Sequence, residues 1–161
     1  MSRGPAAFAL ATVAIACDST PRFETALVLG GTEVAAEVLN QGARVYEMRC
    51  ASCHGGDGSG TGASGRALPQ PPRDFSKAEF RYKSTPGDEL PTDADLAFTI
   101  REGRIENGMP AWSTLTEADR HAVVQYIKTF SPRWLAPAAT LAASGATAAA
   151  SGTTQAQGGV P

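Results

Sequence analysis

One pentapeptide limits this chain more than any other feature: Cys50-Ala51-Ser52-Cys53-His54. Two thiols three positions apart can each bond a vinyl carbon of a single porphyrin, and the histidine beside the second thiol then sits under the iron as an axial ligand. A prosthetic group held by covalent bonds cannot leave, so the chain must fold around it. The other uses of Cys-x-x-Cys ask for surroundings that are missing. A structural zinc site needs four ligands, and the remaining candidates, Cys17 near the start and His121 far downstream, form no second metal-ligand pair. A thioredoxin-like pair follows a strand and opens a helix in a βαβ unit, and no such pattern surrounds Cys50. His54 is demanded by haem attachment and by neither alternative.

The chain has 161 residues, which fits one domain with flanking sequence. A formal net charge of -2 gives no basic surplus for nucleic-acid binding. No apolar stretch is long enough to span a bilayer as a helix. Arg3 followed by the apolar run Ala6 to Ala16 has the shape of a secretory signal, residues 1–16. Cys17 follows directly on Ala14-Ile15-Ala16, an arrangement that resembles a bacterial lipobox. In that reading Cys17 is the first mature residue and carries the lipid, which would hold the protein stably at a membrane surface. The alternative is ordinary cleavage after the same alanines, leaving a free thiol on a soluble periplasmic protein. Asp18 resembles the signal that retains such lipoproteins at the inner membrane of some Gram-negative bacteria. With Cys50 and Cys53 assigned to haem and Cys17 to lipid, no thiol remains for a disulfide. Covalent haem attachment takes place outside the bacterial cytoplasm, in agreement with an export signal. The expected location is therefore the periplasmic side of the inner membrane.

Residues 17–36 read as an anchor and tether. From Val38 the pattern is helical, with Val38, Gly42, Val45, Tyr46 and Cys50 recurring at three- and four-residue spacing on one face. Glycine at position 42 lets a second helix approach closely, and the Tyr46 ring fills the adjacent space. Gly55 to Gly65 is loop; as a phosphate cradle it lacks both the Lys-Ser/Thr ending and a preceding apolar strand. Pro69, Pro71 and Pro72 continue an irregular path, and a short helix is expected within Phe75 to Lys83. Thr92-Asp93-Ala94-Asp95 has the logic of a capping box, followed by the apolar face of Leu96 and Ile100 and a terminator at Gly103. Thr116-Glu117-Ala118-Asp119 repeats the start signal for a helix to about Phe130, with Val123, Tyr126, Ile127 and Phe130 inward. From Ala136 the composition collapses to Ala, Gly, Ser, Thr and Gln, too poor in apolar surface to offset the entropy of ordering. The expectation is a domain over 37–135 and a disordered tail over 136–161.

With His54 on one face of the iron, function turns on the other face. A thioether there favours Fe(II), raises the potential and blocks exogenous ligands. Met1 lies in the signal, and Met48 precedes Cys50 on the same helix, too close to reach the opposite haem face. Met109 remains, in the loop Asn107-Gly108-Met109-Pro110-Ala111-Trp112, where Gly108 gives the backbone freedom and Pro110 stiffens it. A methionine between Gly and Pro is a poor position for core filling, the commoner job of the residue. His121, within the last helix, is the rival ligand.

Together these residues resemble the small monohaem class I cytochromes c, over about residues 37–131. The shared elements are Cys50, Cys53 and His54, the preceding Gly42 and Tyr46, the Met109-Pro110 pair and the last-helix aromatic Tyr126. The resemblance implies an all-α fold whose N- and C-terminal helices cross near a right angle over one covalently bound haem c. It also implies that a proline carbonyl among Pro69, Pro71 and Pro72 accepts the Nδ1 hydrogen of His54. Arg66, Arg73 and Trp112 are candidate contacts at the haem edge. The implied role is electron transfer among redox protein partners at the membrane surface, as a carrier and not an enzyme. A haem-bearing subunit of a larger oxidase or reductase would share these features, and a ligand-binding or catalytic haem protein would need an open sixth position.

Overall fold

The computed structural model describes residues 22–135. The expected signal peptide (1–16), the lipid-bearing Cys17 and the tail (136–161) lie outside the described residues. Within them, four α-helices and a two-stranded hairpin enclose one apolar core. None of these helices is long and apolar enough to cross a membrane. The class is all-α as expected, with a minor β element.

The hairpin pairs β1 (Leu27–Leu29) with β2 (Thr32–Val34) in antiparallel register, Leu27 opposite Val34 and Leu29 opposite Thr32, around a Gly30-Gly31 turn. It is no tether. Leu29 and Val34 are buried in the core, Leu29 forms a bridge with Leu135, and the Gly30 N–H donates to the Trp134 carbonyl at 2.7 Å. Phe23 is held from both sides by Asn40, whose side chain accepts from its N–H and donates to its carbonyl. Residues 23–34 are thus part of the packed body, because the alternation of Leu27, Leu29 and Val34 has apolar surface to bury.

Helix α1 (Ala36–Arg49) carries Glu37 in its first turn and Arg49 in its last, matching the helix dipole at both ends. It packs against α4 (Glu117–Lys128), in which every residue from Ala122 to Lys128 is buried. The closest approach is at Gly42: a Cβ placed there would lie 2.1 Å from the Ala122 carbonyl oxygen and 2.7 Å from Tyr126 Cβ. Tyr46, one turn on, fills the space beside this contact, its ring 5.3 Å from that of Tyr126 and 5.1 Å from that of Phe130.

Helix α3 (Asp93–Glu102) starts on the capping box expected of Thr92 and Asp95 and stops at Gly103. It is fastened to α4 through Asp93, which accepts from Gln125 Nε2 at 2.6 Å and pairs with buried Lys128. Thr116 caps α4 by accepting from the Asp119 N–H at 3.1 Å. The short helix expected within Phe75 to Lys83 does not form. Asp74 instead accepts from the Ser76 N–H and hydroxyl, and Ala78 takes a left-handed conformation (φ 50) that ends any helical run. Arg133 pins this stretch by donating to the Ala78 and Asp88 carbonyls.

Candidate haem site

The Cys-x-x-Cys-His stretch occupies the joint between α1 and a single-turn helix, α2 (Ala51–His54), with Cys50 as the hinge. Four residues are too few to satisfy their own carbonyls, and the glycine-rich loop completes them. The N–H groups of Gly60, Gly62 and Ser64 donate to the carbonyls of His54, Cys53 and Ser52 at 2.8, 3.1 and 2.9 Å. Glycine is needed for that approach, since a Cβ at position 62 would lie 2.5 Å from the Ser52 oxygen. These loop donors are therefore spent on the protein itself, which disposes of the phosphate-cradle alternative.

His54 is fixed from two sides. Its Nδ1 lies 3.1 Å from the Arg73 carbonyl, and its ring stacks on Phe75 with centroids 4.5 Å apart. The acceptor is thus Arg73, and not Pro69, Pro71 or Pro72. The three prolines shape the path, but the carbonyl that arrives over the imidazole belongs to the next residue. Burial holds the imidazole below its usual pKa, against the Arg73 carbonyl, which favours the protonated form. A neutral ring with Nδ1–H donated to Arg73 leaves its lone pair on Nε2, the form that binds a metal.

Burial, and next the neighbouring Cys53, push the Cys50 thiol up to about 12. A redox-active pair of this spacing works through a thiolate of lowered pKa at the end of a strand, whereas Cys50 follows helix α1. Zinc does not fit either: among the described residues no group of three His, Cys, Asp or Glu side chains could hold a metal ion.

Cys50, Cys53, His54 and Met109 all line one cavity of about 350 Å³, within the ~300–1,000 Å³ common for cofactor clefts. Met109 reaches it from a loop tied into a two-rung ladder. Arg104 N–H donates to the Met109 carbonyl at 2.8 Å, and Met109 N–H donates to the Arg104 carbonyl at 3.0 Å. Gly108, in the left-handed region (φ 85), turns the chain into that ladder. Met48 also touches the cavity but is 69% exposed. His121 is exposed and outside the lining, beside Gln125 on α4.

Arg73 and Trp112 line the cavity, whereas Arg66 is exposed and does not. Sequence reasoning missed Arg49, Arg81 and Arg104. Arg49 lies over the Trp112 ring at 5.7 Å and Arg104 over the Tyr82 ring at 4.1 Å. Together with Arg73 they make four arginines in a wall that contains no Asp or Glu. Arg104 Nε is buried without a hydrogen-bond partner, an omission that costs ~1–3 kcal/mol or more for a charged group. Apolar walls, soft sulfur and imidazole donors and uncompensated cations together suit an iron porphyrin with two carboxylates.

Residues 37–127 match the family described as cytochrome c oxidase, cbb3-type, subunit III. The chain belongs to this family of class I c-type cytochromes. A solved chain of the reducing HAO-like protein complex of Kuenenia stuttgartiensis is 40% identical to the cytochrome, with a TM-score of 0.55. That match covers 56% of the cytochrome and 41% of the Kuenenia chain, so the two share a domain and not a whole protein. The chemistry that follows for the cytochrome is haem-based electron transfer, with haem c as the cofactor its family implies.

Proposed function

We propose that the cytochrome is a one-electron carrier in a bacterial respiratory or related electron-transfer chain. In this reading it holds a single haem c through thioethers to Cys50 and Cys53, with His54 and Met109 as the axial iron ligands. The observation that carries the proposal is the convergence of two thiols, the His54 imidazole and the Met109 thioether on one cavity. When bound, the haem supplies a reversible Fe(III)/Fe(II) couple. The Arg73 carbonyl holds the His54 Nδ1 proton, which fixes ring rotation and strengthens donation from Nε2. Met109 offers an uncharged sulfur from a laddered loop and would hold the iron on the side away from His54, keeping small ligands off. That is the behaviour of a carrier and not of an enzyme. Arg73 and Trp112 serve as contacts at the haem edge.

Haem staining after denaturation tests covalent attachment, because only a covalently bound group stays with the chain. Met109→Ala is expected to abolish the weak red ferric band of sulfur ligation and lower the midpoint potential. An unchanged spectrum would sink the Met109 assignment.

A second reading is a fixed haem-bearing subunit of a larger redox complex. The family's description as an oxidase subunit and the similar chain in the Kuenenia complex favour it. In either case we infer periplasmic work with a lipid on Cys17, supported by the small residues before that cysteine. Membrane fractionation of the native protein, followed by a search for co-purifying partners, separates tethered carrier, complex subunit and soluble protein.

A further inference from the structure

Arg104 has features that iron ligation leaves unexplained. Its Nη1 donates to the Gly103 carbonyl at 3.2 Å and its guanidinium lies over the Tyr82 ring, yet its Nε is buried with no acceptor. Tyr82 is itself held by Asn107, whose Nδ2 donates to the phenol oxygen at 3.0 Å. The charged side chains that share the cavity with Arg104 are Arg49, Arg73 and Arg81, and no carboxylate lines it; Asp95, which shares a second cleft with Arg104, is already taken by Ser84 and Thr92. A guanidinium cannot shed its charge, so this wall calls for an anion from outside the chain. On the reading proposed above, the bound porphyrin brings two carboxylates into this cavity.

We propose that Arg104 binds one haem carboxylate and, through its backbone ladder with Met109, ties the porphyrin rim to the loop that delivers the axial sulfur. Side chain and backbone of one residue then set two coordinates of the site. The backbone ladder fixes the Arg104 Cα against Met109, so the guanidinium and the sulfur are delivered from one short frame. Arg104 is therefore a positioning residue for Met109 as well as a contact of the cofactor. Exposed Arg66 takes no part, and Arg73 contributes its carbonyl to His54.

The test uses the full-length holoprotein with Arg104→Gln, Arg104→Lys and, as a control, Arg66→Gln. Midpoint potential and the propionate bending band in resonance Raman are measured on each. Loss of the cation leaves a carboxylate uncompensated and disfavours the added electron. Arg104→Gln is expected to lower the reduction equilibrium constant about tenfold, ~59 mV for one electron, and to shift the propionate band. Arg104→Lys is expected to recover most of the potential but not the band, since a point charge replaces a planar fork. Arg66→Gln leaves both unchanged. An Arg104→Gln holoprotein with native potential and native band overturns the proposal. If that variant fails to retain haem, the Arg104→Lys band decides: shifted supports the contact, native refutes it. Wild type without covalent haem or the red ferric band would instead refute the ligand set on which this inference rests.

Discussion

Replacing Gly42 with alanine puts the α1–α4 contact to its most direct test. The added Cβ would lie 2.1 Å from the Ala122 oxygen, 2.7 Å from the Ala122 carbonyl carbon and 2.7 Å from Tyr126 Cβ, all below the 3.0 Å that real side-chain carbons essentially never breach. Two of those atoms are backbone and the third is bonded to it, so no rotamer change relieves the clash. The helices must separate, and Tyr46, Val123 and Tyr126, all essentially buried, lose contact together. Alanine gains ~1 kcal/mol over glycine in intrinsic helix propensity. Overpacking a close contact costs ~1–3 kcal/mol and more where backbone must shift. With a rigid backbone acceptor the upper end applies, and a net loss of about 2 kcal/mol is expected. For a domain of this size that is ~10 °C in Tm. Chemical denaturation of the holoprotein, followed in parallel by far-ultraviolet circular dichroism and haem absorbance, reads the change. A Gly42→Ala protein as stable as wild type would refute the packing argument, because propensity alone would then have won.

Two further outcomes are expected. Tyr46→Phe keeps the ring contacts but removes the hydroxyl that donates to the Gly55 carbonyl at 2.7 Å; urea unfolding should show a loss of ~1–2 kcal/mol with an unchanged m-value, and no loss would mean that this buried bond is worth nothing. Asp119 accepts from Gln41 Nε2 on α1 and from the Thr116 hydroxyl, two hydrogen bonds that hold its carboxyl below the usual range. Its contribution is complete above the unfolded value of ~3.9 and is lost as pH falls through the lower folded value. Asp119→Asn should therefore narrow the gap in stability between pH 6 and pH 3, and an undiminished gap would remove Asp119 from the acid response.

What could be read along the chain was what depends on near neighbours. Thr92 and Thr116 announced α3 and α4 because a cap needs only three residues to show itself, and Gly42 with Tyr46 announced a helix crossing by their spacing. The hairpin was equally local: Gly30-Gly31 between Leu27-Val28-Leu29 and Thr32-Glu33-Val34 is a two-residue turn between short strands. Its place beside the proposed anchor makes it read as tether. The contacts of His54 and Arg104 were of another kind. Which carbonyl meets the imidazole depends on how a long proline-bearing loop lands, and a slip of one residue separates Pro72 from Arg73. The unpaired Nε of Arg104 exists only once Tyr82, Gly103 and Met109 have arrived around it, and no spacing rule encodes that meeting.

The bridge between Leu29 and Leu135 also determines how the domain answers to force. The end of the first strand and the last described residue are neighbours, so the hairpin and Leu135 meet at one edge of the body. Beside that bridge the Gly30 N–H holds the Trp134 carbonyl and Phe23 is tied to Asn40, so a pull on the described ends meets several contacts. None of residues 22–47 or 128–135 lines the cavity, which puts the redox centre off the line of pull. A cytochrome tethered as proposed above would carry load on this edge and keep its cavity apart from it.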